Sequence, residues 1–153
     1  MRSWIPVANA ASTLVMTGII WLIQLIHYPA FSFIGESSFV SFATFHQQRI
    51  SMIVIPLMLV EAISTALLLH RPHPAFAGRV AKVAALCLFI AWLSTVFLQA
   101  PIHQHMLKGR DGELLIDLIA GNWWRTVAWS ARAFLVCFGL QRFMQSVSDE
   151  ACD

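Results

Sequence analysis

A chain of 153 residues has room for one domain, and 58% apolar against 12% charged residues leaves too little polar surface for a water-soluble globule. Ten basic and eight acidic side chains, net +2, are scattered along the chain, which excludes a basic footprint for nucleic acid. Three cysteines, Cys87, Cys137 and Cys152, fit neither zinc spacing nor a disulfide framework. Cys87 and Cys137 read as small apolar fillers, with a thiol pair at membrane depth as the alternative.

The first element lies in residues 3–35, which carry no Asp, Glu, Lys or Arg and exceed the roughly 20 residues that cross a bilayer. Met1-Arg2 before this run suggests a signal peptide. The run is too long for an h-region and no small-residue cleavage site follows, so it is expected to be a retained helix. Three more apolar runs follow at residues 50–69, broken only by Glu61, at 83–102, and at 123–140, which holds Arg125 and Arg132. Backbone in a bilayer must bond to itself, and a closed barrel needs many short alternating strands. The expected fold is therefore all-α, a four-transmembrane-helix up-down-up-down bundle. Its helices fall at about residues 10–34, 49–70, 80–102 and 123–143 of a single domain, 1–153.

Two connections read as short interfacial helices. One, residues 37–49, places Phe39, Phe42, His46 and Arg49 at steps of three and four. The other, residues 113–120, follows the polar segment Lys108-Gly109-Arg110-Asp111-Gly112. The remaining turn, His70-Arg71-Pro72-His73-Pro74, is basic, and its histidines are expected to be solvated. Arg2, Arg71, Arg79, Lys82 and Arg142 then face one side of the membrane, and Arg49, Lys108, Arg110 and Arg125 the other. This slight bias points to cytoplasmic termini.

Polar residues form stripes. Gln24, His27 and Tyr28 share a face of the first helix. His46 and Arg49 open the second, with Glu61 deeper. Trp92, Thr95, Gln99 and His103 step along the third, and Asn122, Arg125, Trp129 and Arg132 along the fourth. In the expected topology the stripes converge in one half of the bundle. A charge near the bilayer centre costs at least ~2.5 kcal/mol, so Glu61 and Arg132 are expected to pair, either to fix helix register or to act. Asn122 reads as an N-cap, Trp123 and Trp124 as interfacial aromatics, and Arg125 as a snorkelling cation, each beside its functional alternative. His27, His46, His103 and His105 map to one side, where a transition metal or haem, proton handling and simple packing compete as readings. No HxxxH or HExxH spacing is present, and His103 and His105 cannot share a helix face.

The segments Gln24-x-x-His27-Tyr28-Pro29, His46-x-x-Arg49, Pro101-x-His103 and Asn122-Trp123-x-Arg125-Thr126-x-x-Trp129-x-x-Arg132 resemble those of uncharacterised small bacterial four-helix membrane proteins. More distantly, size, helix count and the fourth helix are similar to the membrane family that includes fungal anthrone oxygenases. That resemblance implies oxidation of an apolar, aromatic or quinol-like molecule entering from the lipid.

Three functions compete. The first is an oxidoreductase acting on a lipophilic substrate, with His27, His46, Arg49, Arg125 and Arg132 in catalysis. His27, His46, His103 and His105 would be its metal ligands, and Gln24, Tyr28, Glu61, Gln99, Asn122 and Trp129 would line a cofactor or substrate site. The second is an accessory or binding subunit of a larger membrane complex or homo-oligomer, docking through the Trp-rich fourth helix. The third, a carrier or proton relay, is disfavoured because only Ser64 and Thr65 are polar below Glu61. The partners expected in every case are the lipid bilayer and, for the first, a lipophilic small molecule.

Overall fold

The computed structural model describes residues 4–150. Arg2 and Cys152 lie outside the described residues. Four long helical rods account for nearly all of them. Helix α1, Trp4–Phe33, is α-helical to Leu22, passes through a π-helical turn at Ile23–His27, and ends in a 3-10 turn at Phe31–Phe33. Helix α2 covers Glu36–His70. Helix α3, Gly78–Met106, contains a second π-helical turn at Thr95–Gln99, and α4 covers Gly112–Glu150.

The bundle is inside out relative to a soluble one. Leu22, Ile26, Met52, Ile63, Phe89, Phe97, Trp124 and Phe134 are exposed, whereas Asn9, Thr13, Gln24, Glu61, Gln99, Asn122, Arg125 and Arg132 are buried. This inversion is consistent with a hydrocarbon solvent, in which apolar side chains lose nothing and polar ones must find partners inside. Helices α1, α2 and α3 are long and apolar enough to cross a membrane. In α4 two arginines and three tryptophans lower the hydropathy of the 123–140 run.

The expected interfacial helices are not separate elements. Residues 36–55 contain neither Gly nor Pro, and their buried side chains, Phe39, Ala43 and His46, continue the inner stripe of Val54, Met58 and Glu61. The helix therefore has no reason to bend there. Likewise 113–120 forms the opening turns of α4, whose inner residues Leu115, Leu118, Asn122, Arg125, Trp129, Arg132, Val136 and Gly139 alternate at steps of three and four, the repeat of a helix seam. The cap of α4 is Asp111, whose Oδ1 accepts from the amides of Glu113 at 2.9 Å and Leu114 at 3.3 Å. Asn122, expected as the cap, is instead fully buried eleven residues beyond it.

Side-chain hydrogen bonds join residues near the start of α1 to the end of α2 (Asn9 to Ser64 and Thr65) and to the later part of α4 (Asn9 to Arg132). Near the end of α1 they reach the earlier part of α4 (Gln24 to Asn122). The turn between α2 and α3 folds back under the bundle. Ala75 and Phe76 are buried against Ala10, Leu68 and Val136, and the His73 ring, only half-exposed, lies 4.9 Å from that of Phe143. The His73 side chain thus packs rather than standing free in solvent as expected, while His70 is exposed.

Gly139 makes this docking fit: a Cβ there would overlap the carbonyl oxygen of Ala75. Gly139→Ala should lower stability by about 1–3 kcal/mol, the usual cost of overpacking, and Gly18→Ala, where no atom lies within 4 Å, should not. Thermal unfolding of the two variants in one detergent checks this; equal melting would mean that the turn does not depend on the close approach.

Candidate functional site

Two buried polar clusters share the bundle axis. The first centres on Glu61 and Arg132, both essentially inaccessible, with Arg132 Nε 3.1 Å from Glu61 Oε1. Glu61 also accepts from Thr13 Oγ1 at 2.7 Å and Trp129 Nε1 at 2.9 Å. Arg132 donates onward to the Ala84 carbonyl at 2.7 Å, Thr65 Oγ1 at 2.7 Å and Asn9 Oδ1 at 3.3 Å. Asn9 completes the cluster by donating to Ser64 and Thr65. The expected partnership of Glu61 and Arg132 is present. Ser64 and Thr65, expected as the polar groups of the second helix below Glu61, are buried there, and Asn9 and Thr13 of α1, which the stripes omitted, join them. These residues are uncharged and readily tolerated in a membrane. Their only sequence trace is spacing: Asn9 and Thr13 at i, i+4, and Ser64 and Thr65 three and four positions after Glu61.

The second cluster gathers where α1 and α3 depart from α-helical geometry. Pro29 and Pro101 lack an amide proton and crowd the carbonyl four residues back, and in each rod a π-helical turn precedes the proline closely. Such turns shift the side chains that follow and recur at functional sites. Here they aim Gln24, His27 and Tyr28 from α1 and Gln99 and His103 from α3 towards one another and towards α4. His27 Nε2 and His46 Nδ1 are 2.6 Å apart, the His46 and His103 rings are 5.3 Å apart, and Tyr28 Oη is 3.0 Å from His103 Nε2. Arg125 Nη1 donates to Tyr28 Oη at 3.4 Å and to Asn122 Oδ1 at 3.1 Å. Asn122 donates to Gln24 Oε1 at 2.8 Å, and Gln24 donates to the Ile119 carbonyl. Arg125 is buried, not snorkelling. Its guanidinium also lies 5.5 Å from the Trp129 ring, so Trp129 touches both clusters.

Two expected members stand apart. Arg49 is exposed over the Phe45 ring at 5.5 Å, because the inner stripe of α2 runs through His46 and Val54 and leaves position 49 to one side. His105 is exposed and bonds the Pro101 carbonyl of its own helix. Among the described residues no three His, Cys, Asp or Glu side chains are placed to hold a metal ion. Two imidazoles on one tetrahedral ion at about 2.0–2.1 Å from each nitrogen would stand roughly 3.3 Å apart. The 2.6 Å between His27 and His46 is a hydrogen bond instead, so the donor set does not fit the metal reading.

Beside this cluster, between α2 and α3, lies a cavity of about 200 Å³ lined by Tyr28, Val54, Met58, Gln99, His103 and Arg125 among others. Gln99 Oε1 and Arg125 Nε, on lining residues, are buried without a protein partner. One acceptor and one cationic donor are thus left over on the cavity wall, with His46 Nε2 also unpartnered in the same cluster, and buried groups left so are costly unless a ligand or water completes them. No protein-family model, curated protein or solved structure matches the chain.

Removing one partner of the central pair strands the other charge, so Glu61→Ala should cost about 3–5 kcal/mol. The double replacement Glu61→Leu with Arg132→Met should recover much of that loss. Denaturation of single and double variants measures it; a double variant as unstable as the sum of the singles would show that the two side chains are not energetically coupled.

Proposed function

We propose that the chain is an integral membrane protein of four antiparallel crossings that binds a lipophilic quinol or related phenol and removes its hydroxyl proton, the first step of its oxidation. The fourth crossing is α4. Its arginines are compatible with a membrane because both are buried on the seam, and the hydrogen-bond pairings between helices support an up-down-up-down order with both termini on one side. The slight charge bias favours the cytoplasmic side for them, and the resemblance to small bacterial membrane proteins supports a bacterial inner membrane as the chain's location.

The observation that carries the reading is the triad Tyr28, His103 and Arg125 on the wall of a cavity whose other lining is mostly apolar, beside the unpaired Gln99 Oε1 and Arg125 Nε. A cavity of about 200 Å³ suits one substituted six-membered ring, given that roughly 150 Å³ accommodates benzene. Arg125 stabilises the oxyanion that forms. The proton passes to His103 through Tyr28, whose hydroxyl can donate to His103 Nε2 while accepting from Arg125. His46 and its partner His27, which is half-exposed, stand next to His103 on the outward side. The quinolate is the electron-rich form. Dioxygen dissolved in the bilayer takes two electrons and the remaining hydroxyl proton from the quinolate and the first proton back from His103, and leaves as hydrogen peroxide, with quinone as the other product. The likeness to the anthrone oxygenase family, whose implied substrates are apolar aromatics, agrees with this class.

Purified protein in nanodiscs, supplied with a short-chain benzoquinol, should consume oxygen and form quinone. Tyr28→Phe and His103→Gln should each slow that reaction about 100-fold or more, the range for loss of a general base, with binding largely kept. Binding without any oxygen uptake would remove the oxidation step, and absence of quinol binding to folded protein would remove the whole proposal.

A further inference from the structure

The polar cavity does not end the opening between α2 and α3. One helical turn beyond its deepest residues, Met58 on α2 and Thr95 on α3, a second groove of about 420 Å³ begins between the same two helices, lined by Ala62, Ala66, Leu69, Ala85, Leu88 and Phe89 among others. It exists because alanines stand where larger side chains would close the gap. The hydrogen bonds described above tie α2 to α1 and α4, and α3 to α1 and α4; none of them joins α2 directly to α3, which approach each other through apolar contacts and the ring contact of His46 with His103. Beside the second groove the two helices are bridged through α4, where the Arg132 guanidinium holds both Thr65 and the Ala84 carbonyl, so the seam is held open by its spacing and small side chains rather than closed by a direct polar tie.

From Gln47, in the lining of the first cavity, to Leu69, in that of the second, α2 rises ~33 Å at 1.5 Å per residue, close to the roughly 30 Å hydrocarbon thickness of a bilayer. Polar character is graded along this path. The upper cavity holds the unpaired Gln99 Oε1 and Arg125 Nε; at the junction Trp92 Nε1 is buried without a partner; below it the lining is alanine, leucine and phenylalanine, with Thr65. Such a gradient is complementary to a molecule with a polar head and a long apolar tail, and the unpaired groups at one end fix which end the head takes.

We propose that the seam between α2 and α3 is one elongated binding groove for a tailed lipid substrate. Its single-ring head lies beside Tyr28, His103 and Arg125, and its alkyl or isoprenoid tail lies along Ala62, Ala66 and Ala85. This rests on the quinol reading of the upper cavity and adds the substrate class: a membrane-resident tailed quinol, not a freely diffusing small phenol. Because the tail leaves lipid for a groove of similar polarity, its contribution comes from packing and alignment more than from expulsion of water.

The test uses the full chain in nanodiscs and two probes, a benzoquinol without a tail and the same ring carrying a decyl tail that ends in a photoreactive diazirine. Illumination should label α2 within 62–69 and α3 within 85–92, and excess tailed quinol should displace the label. Ala66→Leu with Ala85→Leu, which fills the groove without touching the head site, should reduce kcat/KM for the tailed quinol about tenfold and leave the tailless one unchanged. Label spread over the outward residues Phe97, Trp124 and Phe134, or equal effects of the filled groove on both substrates, would overturn the tail assignment. A phosphatidylcholine probe labelling the groove undisplaced by quinol would show it to hold ordinary lipid, and crosslinks between two chains there would show a dimer seam; either overturns the proposal. If neither quinol binds, it is the reading of the upper cavity that fails.

Discussion

The desolvated ion pair of Glu61 and Arg132 is the constraint around which the bundle is organised. In hydrocarbon no water rescues an unused lone pair or N–H, so a carboxylate and a guanidinium at this depth require a complete shell. Glu61 accepts from Thr13, Trp129 and Arg132, and Arg132 reaches Asn9 and Thr13 on α1, Thr65 on α2 and the Ala84 carbonyl on α3. A single side chain of α4 thereby fixes the register of all three other helices. The pair does not need to add net stability to do this, because any slip of one helix would leave a charge unpaired, and that penalty is what selects one arrangement.

Trp129 carries the constraint towards the candidate site. Its indole N–H is held by Glu61 and its ring faces the Arg125 guanidinium. Arg125 is in turn located between Tyr28 and Asn122. The orientation of the group best placed to stabilise an anion is thus set by a charge pair two turns away along α4. The irregular backbone is confined to the other cluster. Both π-helical turns and both prolines adjoin the cavity side, in keeping with the rule that non-ideal backbone at membrane depth survives where it is buried in protein or lines a cavity.

The sequence discloses the all-α class, the apolar runs and the Glu61–Arg132 partnership because each follows from solvent alone: length, hydropathy, and the cost of a charge in lipid. It also discloses that Gln24, Tyr28, His27, His46, His103, Asn122 and Arg125 belong together, through steps of three and four. What it hides depends on rotation about the helix axis. Arg49 and His105 sit near the right level but on the wrong face, a distinction set by the direction of the inner stripe and by the winding at the end of α3. Asn122 resembles a cap only if α4 begins near residue 122; Asp111, eleven residues earlier, already supplies the cap that lets the helix run through. Asn9, Thr13, Ser64 and Thr65 gain meaning only once Arg132 is seen to reach them.

The same network explains why the bundle opens where it does. Four helices offer four neighbouring pairs, and strong polar ties on α1 and α4 hold three of these pairs in fixed register. Each additional tie between α2 and α3 would need another buried polar pair, with its own desolvation cost. The fourth pair is therefore left to van der Waals contact, whose strength depends on side-chain volume, and alanines at 62, 66 and 85 keep that contact thin. The groove proposed between them would thus require no separate hinge or lid: it follows from directing the polar interactions of α2 and α3 towards α1 and α4 rather than towards each other.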